Sequence, residues 1–183
     1  MTISEGHILL GNRMVEPLGY WTKPTAIADI DVQNIHGHIF SVDATSCTRN
    51  PLLFPSEFRE GPPASVGNID SNFFTEFTDC LWRKGLEKSL GLEAIEGQAG
   101  KMLEFSFDTG SLLLKEEEVR AEVRGQFESR ETGWTVIVKD GDVDKDGETR
   151  CIVYANGHVK ATKIQVDGVL DALKILRDEG ILA

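Results

Sequence analysis

The residues whose type and spacing most favour chemistry are two histidines with one glycine between them, His36-Gly37-His38. In an extended strand, residues i and i+2 point to the same side, so both imidazoles are expected to share one face. An imidazole beside a carboxylate is a common general base, and two imidazoles on one face are a common start to a metal site. We predict acid/base roles for His36 and His38, and ordinary strand histidines without a chemical role are the simpler alternative. No third ligand stands at a diagnostic spacing, so no metal is predicted. Several residues are candidates to complete either arrangement: Asp29, Asp31, Asp43, Cys47 and His158.

The third catalytic candidate is His158, which follows the dipeptide Asn156-Gly157. That dipeptide supplies the positive φ values of a type I′ turn, and we expect it to join 151–155 and 158–163 as a hairpin. His158 then lies at the rim of a sheet, where ligands enter. A polar residue after a turn also needs no functional reason, and this alternative stays open.

Arg49 is the predicted anchor for a ligand carboxylate or phosphate, because a guanidinium binds such groups through two hydrogen bonds. An exposed arginine in a turn is the simpler alternative. Four aromatic side chains complete the predicted ligand-binding set: Tyr20, Trp21, Phe54 and Trp82.

The acidic stretch Asp142-Val143-Asp144-Lys145-Asp146-Gly147 copies the start of an EF-hand calcium loop. Val153 occupies the position where that loop requires a bidentate glutamate, and the flanking residues are typical of strands. We therefore predict an exposed acidic hairpin loop.

Composition excludes several classes of partner. The chain of 183 residues has 30 acidic and 19 basic residues, and its formal net charge of -11 is dispersed. That charge repels nucleic-acid backbones and anionic membranes, so neither partner is expected. The three cysteines, Cys47, Cys80 and Cys151, form no Cys-x-x-Cys pair and are typical of a reduced cytoplasmic protein. No phosphate loop or dinucleotide fingerprint appears, so no cofactor is expected.

The pattern predicts an α+β fold in which an antiparallel meander spans 101–165. Leu103, Phe105 and Phe107 alternate with polar residues, as do Val119, Ala121 and Val123, and then Trp134, Val136 and Val138. A period of two is typical of a strand with one solvated face.

Two helices are expected beside this sheet. The first runs from about Asn72 to Leu90, with Asp70 or Ser71 as N-cap, Gly85 as a weak point and Gly91 as its stop. Its wide apolar stripe predicts that the meander is curled around or packed on it, as a barrel or half-barrel. A short C-terminal helix runs from Asp167 or Gly168 to about Glu179. Its core face is expected to contain Val169, Leu170, Leu173 and Leu176.

The chain length favours one domain over 1–183, with residues 45–70 as a proline-rich, lid-like loop. Before it, residues 26–44 suggest two strands with a break at 34–37.

The sequence supports two hypotheses about function, which belong to different classes. The first is a cytoplasmic protein that binds a small organic ligand between sheet and helix, as a cofactor-independent isomerase, dehydratase or cyclase with histidine acid/base chemistry. Whether it catalyses at all stays open. The alternative is an interaction module, in which the 52–58 stretch docks a partner protein or a second copy as a homodimer. A metal-dependent enzyme built on His36 and His38 is the third hypothesis.

Overall fold

The computed structural model describes residues 4–14, 19–42, 52–63, 69–94, 101–119, 128–139, 142–154, 157–158, 166 and 168–183. The strands are β1 His7–Met14, β2 Gly19–Ala26, β3 Ile35–Val42, β4 Leu53–Glu60, β5 Leu92–Glu93, β6 Lys101–Phe107, β7 Gly110–Lys115, β8 Glu128–Lys139, β9 Asp142–Tyr154 and β10 Gly157–His158. The helices are α1 Ser71–Lys84, α2 Glu116–Val119 and α3 Val169–Asp178, and two 3₁₀ turns lie at Ile27–Asp29 and Val32–Asn34. The predicted α+β class is confirmed.

The chain divides into two compact units. Unit 1 contains Met1–Glu5, Gly11–Pro24 and Gln98–Ala183, and unit 2 contains Gly6–Leu10 and Thr25–Gly97. The single-domain organisation stays a prediction. Among the described helices, none has the length and apolar character needed to cross a bilayer.

The sheet of unit 1 is mixed. Its strand order is β10-β9-β6-β7-β2, and β8 also pairs with β9. Strand β6 is antiparallel to β7 but parallel to β9, with Lys101 opposite Glu148. The prediction of a purely antiparallel meander is therefore wrong.

The short helix α2 explains this difference. Residues 116–119 were expected to lead into a strand through Val119, but they form a helical turn. Three successive glutamates favour a helix over a strand. Among the described strands, β7 has β6 and β2 as its neighbours and no strand that follows it in the chain. Ala121 and Val123 lie outside the described residues.

The alternation predicted for β6 places core residues of unit 1 correctly, whereas Trp134, from the alternation predicted farther along the chain, is 51% exposed. Leu103, Phe105 and Phe107 are buried on β6, and Leu112 and Leu114 are buried on β7. The helix that packs on these strands is α3, not the long helix that the sequence favoured. The remaining members of this core are Trp21, Val119, Val166, Ala172, Leu173, Ile175, Leu176, Ile181 and Leu182.

The boundaries of α3 agree with the prediction, but one core residue does not. Leu173 and Leu176 are buried, whereas Leu170 is 82% exposed. Gly180 has a φ of 69°, and the N–H of Ile181 donates to the carbonyl of Leu176, so the chain turns sharply after the helix.

Helix α1 begins as predicted and ends early. The Asp70 side chain accepts a hydrogen bond of 2.9 Å from the N–H of Asn72. Gly85 adopts a left-handed conformation with φ 67°, and its N–H donates to Leu81 and Trp82. A glycine in this conformation ends a helix, so the predicted extension to Leu90 is wrong.

Three local predictions differ in detail from the structure. Gly157 pairs with Tyr154, so the predicted hairpin turns one residue early and Gly157 belongs to β10. The acidic stretch starting at Asp142 lies in strand β9 and not in a loop, and Asp142 to Lys145 are exposed there. In the expected 45–70 loop, residues 53–60 form β4, which pairs antiparallel with β3.

The core assignment of α3 predicts different costs for one substitution at two positions of the same helix. Leu176→Ala removes a fully buried side chain and should lower the free energy of unfolding by about 2–5 kcal/mol. Leu170→Ala, at the exposed position, should change it by less than about 0.5 kcal/mol. Urea denaturation measures both, and equal losses would contradict this core.

Candidate active site

Strand β3 holds both histidines at buried positions. His36 is buried and His38 is 1% exposed. Ile35 pairs with Glu60 and Val42 with Leu53, so β4 accompanies β3 along its length. On its other side β3 pairs with β5, where Phe40 lies opposite Leu92. The candidate site therefore stands on three hydrogen-bonded strands.

A β-bulge lies at His38. Gly37 pairs with Phe58 and Ile39 pairs with Glu57, so His38 is the extra residue on β3. Bulges interrupt the alternation of a strand and redirect a side chain, and they are frequent beside active sites. The backbone carbonyl of His38 accepts a 2.8 Å hydrogen bond from the N–H of Ala94, which fixes the bulge.

The Gly37 between the histidines is needed for packing. A Cβ atom at Gly37 would lie 2.8 Å from the ring of Phe40 and 3.1 Å from Pro55. Proline donates no ladder hydrogen bond and is found in strands at edges and bulges. Pro55 pairs with Phe40 where β4 has its own extra residue, Ser56.

His38 is joined to a carboxylate. Its Nε2 lies 3.0 Å from Oε1 of Glu93, on β5. An ionised carboxylate only accepts hydrogen bonds, so the proton of the neutral His38 ring is on Nε2. The lone pair is then on Nδ1.

The Nδ1 atom of His38 is buried, and no residue in the described part of the chain provides it with a hydrogen-bond partner. A buried polar atom without a partner is rare in folded proteins and costs about 1–3 kcal/mol. This nitrogen is one feature of the site that packing alone does not explain.

His36 has the opposite ring orientation. Its Nδ1 lies 3.0 Å from the carbonyl oxygen of Gly61, which can only accept. Nδ1 therefore carries the proton of the neutral ring, and Nε2 is the acceptor.

A buried arginine is the direct cross-strand partner of His36. Arg59 is 4% exposed and its Cα is in register with that of His36. Its Nε lies 4.0 Å from Oε1 of Glu57, which is two residues away on the same strand. Directly opposed residues of an antiparallel pair point to one face, so the guanidinium belongs to the histidine face.

The electrostatics of the site favour an ionised Glu93. Burial raises the pKa of Glu93, but the hydrogen bond donated by His38, its favourable electrostatic interaction with the carboxylate and the positive charge of Arg59 outweigh burial. The pKa of Glu93 therefore lies below its ordinary value of 4.5.

The other predicted site residues are dispersed. Trp21 is buried in the core of unit 1, where its ring centroid lies 5.9 Å from that of Phe107, and Tyr20 precedes it on β2. His158 belongs to unit 1 on β10. Phe54 is exposed on β4, opposite Ser41 and at the other end of the pair from His36. Trp82 is exposed on α1. Arg49 lies outside the described residues.

Sequence reasoning missed Arg59 and Glu93. Arg59 lies within the stretch interpreted as a loop, where Pro55, Pro62 and Pro63 obscure a strand pattern. Glu93 belongs to a strand of two residues, which is too short for a period of two to be visible. Only the tertiary pairing of β5 with β3 identifies Glu93.

No group of three or more His, Cys, Asp or Glu side chains close enough to hold a metal occurs in the described part of the chain. Asp43 and Cys47, which the sequence offered as ligands, lie outside that part. The metal hypothesis stays a prediction.

Comparisons with protein-family models, with curated proteins and with solved structures yield no match to this chain.

The lowered pKa of Glu93 predicts a pH-dependent effect of Glu93→Gln. The stabilisation from the ionised carboxylate is complete above about pH 4.5 and is lost as the pH falls through the lower folded-state pKa. Wild type should exceed Glu93→Gln in free energy of unfolding at neutral pH by less than about 1 kcal/mol, because Glu93 is 44% exposed and screened. The difference should shrink in acid.

Urea denaturation at a series of pH values measures this difference. Glu60→Gln, at an exposed position of β4, is the matched control and should give a change below about 0.5 kcal/mol throughout. A Glu93→Gln effect that is constant down to the lowest pH would contradict the stated role of the carboxylate.

Proposed function

We propose that strands β3, β4 and β5 bind a small organic molecule and that His38 transfers a proton to or from it. The single observation that supports this proposal most is the buried Nδ1 atom of His38, which lacks a partner while Nε2 is bonded to Glu93. A carboxylate that holds one imidazole nitrogen leaves the other in the form that accepts a proton.

Each residue of the proposed site has a separate role. His38 is the general base through Nδ1 and, once protonated, the general acid. Glu93 is a positioning residue that fixes the tautomer and stabilises the imidazolium. Arg59 offers guanidinium donors to a ligand carboxylate or to an oxygen that gains negative charge, in the role that the sequence assigned to Arg49.

The chemistry that fits is proton transfer without a cofactor. A base that removes a proton from one atom and returns it to another catalyses isomerisation, and the same base and acid serve dehydration or cyclisation. Because Nδ1 is buried, binding includes a local opening beside β5, where the half-exposed Glu93 already meets solvent. A cytoplasmic location belongs to this proposal, and the free thiol of Cys80 is compatible with it.

A second candidate function is a protein interaction module. Phe54 is exposed on β4, and Phe58 is half-buried on the same strand. An exposed aromatic ring on a strand favours contact with a partner protein. This alternative does not use the His38 nitrogen.

The proposed proton transfer predicts exchange of carbon-bound hydrogen. In D₂O, wild-type protein should exchange protons α to the carbonyl in at least one member of a panel of small keto acids and hydroxy ketones, followed by NMR. His38→Gln removes the base and should slow that exchange by at least about 100-fold. Thermal shift with the same compound separates loss of binding from loss of chemistry.

His7→Gln is the matched control, since His7 is an exposed histidine. It should leave the exchange rate within about 2-fold of wild type, as for surface substitutions in general. Exchange that survives His38→Gln, or compounds that bind wild type without any exchange, would contradict the catalytic proposal.

A further inference from the structure

Helix α1 exposes an aromatic surface that unit 2 does not bury. Phe73 is 43% exposed and Phe74 is 41% exposed. The ring of Phe73 packs on Phe74 at 5.4 Å and on Phe77 at 6.0 Å between centroids. Large apolar side chains grouped in this way on a surface mark an interaction site more often than single ones do.

The buried residues of α1 define which side of the helix is available. Thr78 and Leu81 are buried, and Phe77 is half-buried at the edge of that side. Phe73, Phe77, Cys80 and Lys84 follow one another at spacings of four and three residues, so they form one continuous edge. We name this edge, with its flanking Glu76 and Arg83, the α1 edge.

The charges of α1 differ from those of the rest of the chain. The chain has a formal net charge of -11, but in α1 the acidic residues Glu76 and Asp79 are balanced by Arg83 and Lys84. Two copies of an acidic protein repel each other over most of their surfaces. That repulsion is weaker where two helices without net charge, such as two copies of α1, approach each other.

The order of the charged residues along α1 determines the orientation in which two copies of this helix can pack. Glu76 and Arg83 are both exposed and lie about two turns apart on the same flank of the α1 edge. When two identical helices pack antiparallel, equivalent flanks face each other. Glu76 of one copy then meets Arg83 of the other, and the contact occurs twice by symmetry. A parallel pair would bring opposite flanks together and would not pair Glu76 with Arg83.

We propose that the chain forms a symmetric homodimer through antiparallel packing of two α1 edges. In the register that pairs Glu76 with Arg83, the two Phe77 rings flank the symmetry axis, and the Phe73 rings lie farther out, toward each end of the contact. A contact built on one four-turn helix is at the small end of stable interfaces, so the dissociation constant is expected at about 1–100 μM. This inference is independent of the proton-transfer proposal, because it uses no residue of the His38 site.

Reversal of charge tests the register. Glu76→Arg and Arg83→Glu each place two like-charge contacts in the dimer and should raise its dissociation constant at least about 10-fold. The double variant Glu76→Arg/Arg83→Glu restores both opposite-charge contacts and should return within about 3-fold of wild type. Sedimentation velocity over a concentration series of the full chain gives these constants.

Two controls separate association from folding. Glu117→Arg makes the same chemical change at an exposed position outside α1 and should leave the dissociation constant unchanged. Circular dichroism and thermal melting of each variant identify any that is unfolded. Phe73→Asp alters an exposed side chain and should give a folded monomer.

Cross-linking supplies a second readout, because the proposed register brings the two Cys80 residues near the symmetry axis. With Cys47→Ser and Cys151→Ser in place, a short bis-maleimide should give covalent dimer through Cys80, and added Glu76→Arg should abolish it.

Three results would overturn the proposal. They are a protein that stays monomeric at about 100 μM, a dimer that neither single charge reversal weakens, and a double variant no tighter than the single ones.

Discussion

The site depends on one hydrogen bond, between Nε2 of His38 and the carboxylate of Glu93. This bond links two strands whose residues are far apart in sequence, and it decides which nitrogen of a buried ring carries the proton. It also leaves Nδ1 without a partner, at a cost of about 1–3 kcal/mol. A charge-assisted hydrogen bond on the opposite side of the same ring offsets part of that cost. The cost that remains is typical of a site held ready for a ligand.

The bulge at His38 makes this bond compatible with the sheet. Glu93 is in register with Ile39, not with His38. In a regular ladder, Ile39 and its partner point away from the His38 face. The extra residue on β3 breaks that alternation, and the bond from Ala94 to the His38 carbonyl holds the distorted backbone. Gly37 and Pro55 are the sequence features that accompany this irregularity.

The features that the sequence predicted correctly are those that depend on residues close together in the chain. The alternation of Leu103, Phe105 and Phe107, the Asp70 cap and the end of α3 near Glu179 all appear in the structure, because each depends on neighbouring residues. The choice of α3 over α1 as the helix beneath the sheet was not predictable, since both helices have an apolar stripe and α1 has the wider one. The parallel pairing of β6 with β9 was not predictable either, because it depends on tertiary contacts.

The residues of the candidate site also divide into those that the local sequence indicates and those that only tertiary contacts reveal. The pair His36 and His38 was visible from its spacing, whereas Arg59 and Glu93 were not, because neither residue is near the histidines in sequence. Proline normally argues against a strand, so Pro55 obscured β4 and with it Arg59. A bulge accommodates such a proline, but no local sequence pattern predicts the bulge.

Long-range ¹H–¹⁵N correlation spectra of the histidine rings test the central claim most directly. The rings are assigned by comparing wild type with His36→Gln and His38→Gln. At mildly alkaline pH, His38 should show its proton on Nε2 and a lone pair on Nδ1, and His36 should show the opposite tautomer. A His38 ring with its proton on Nδ1, or one that is still doubly protonated, has no acceptor at Nδ1 and would contradict the account.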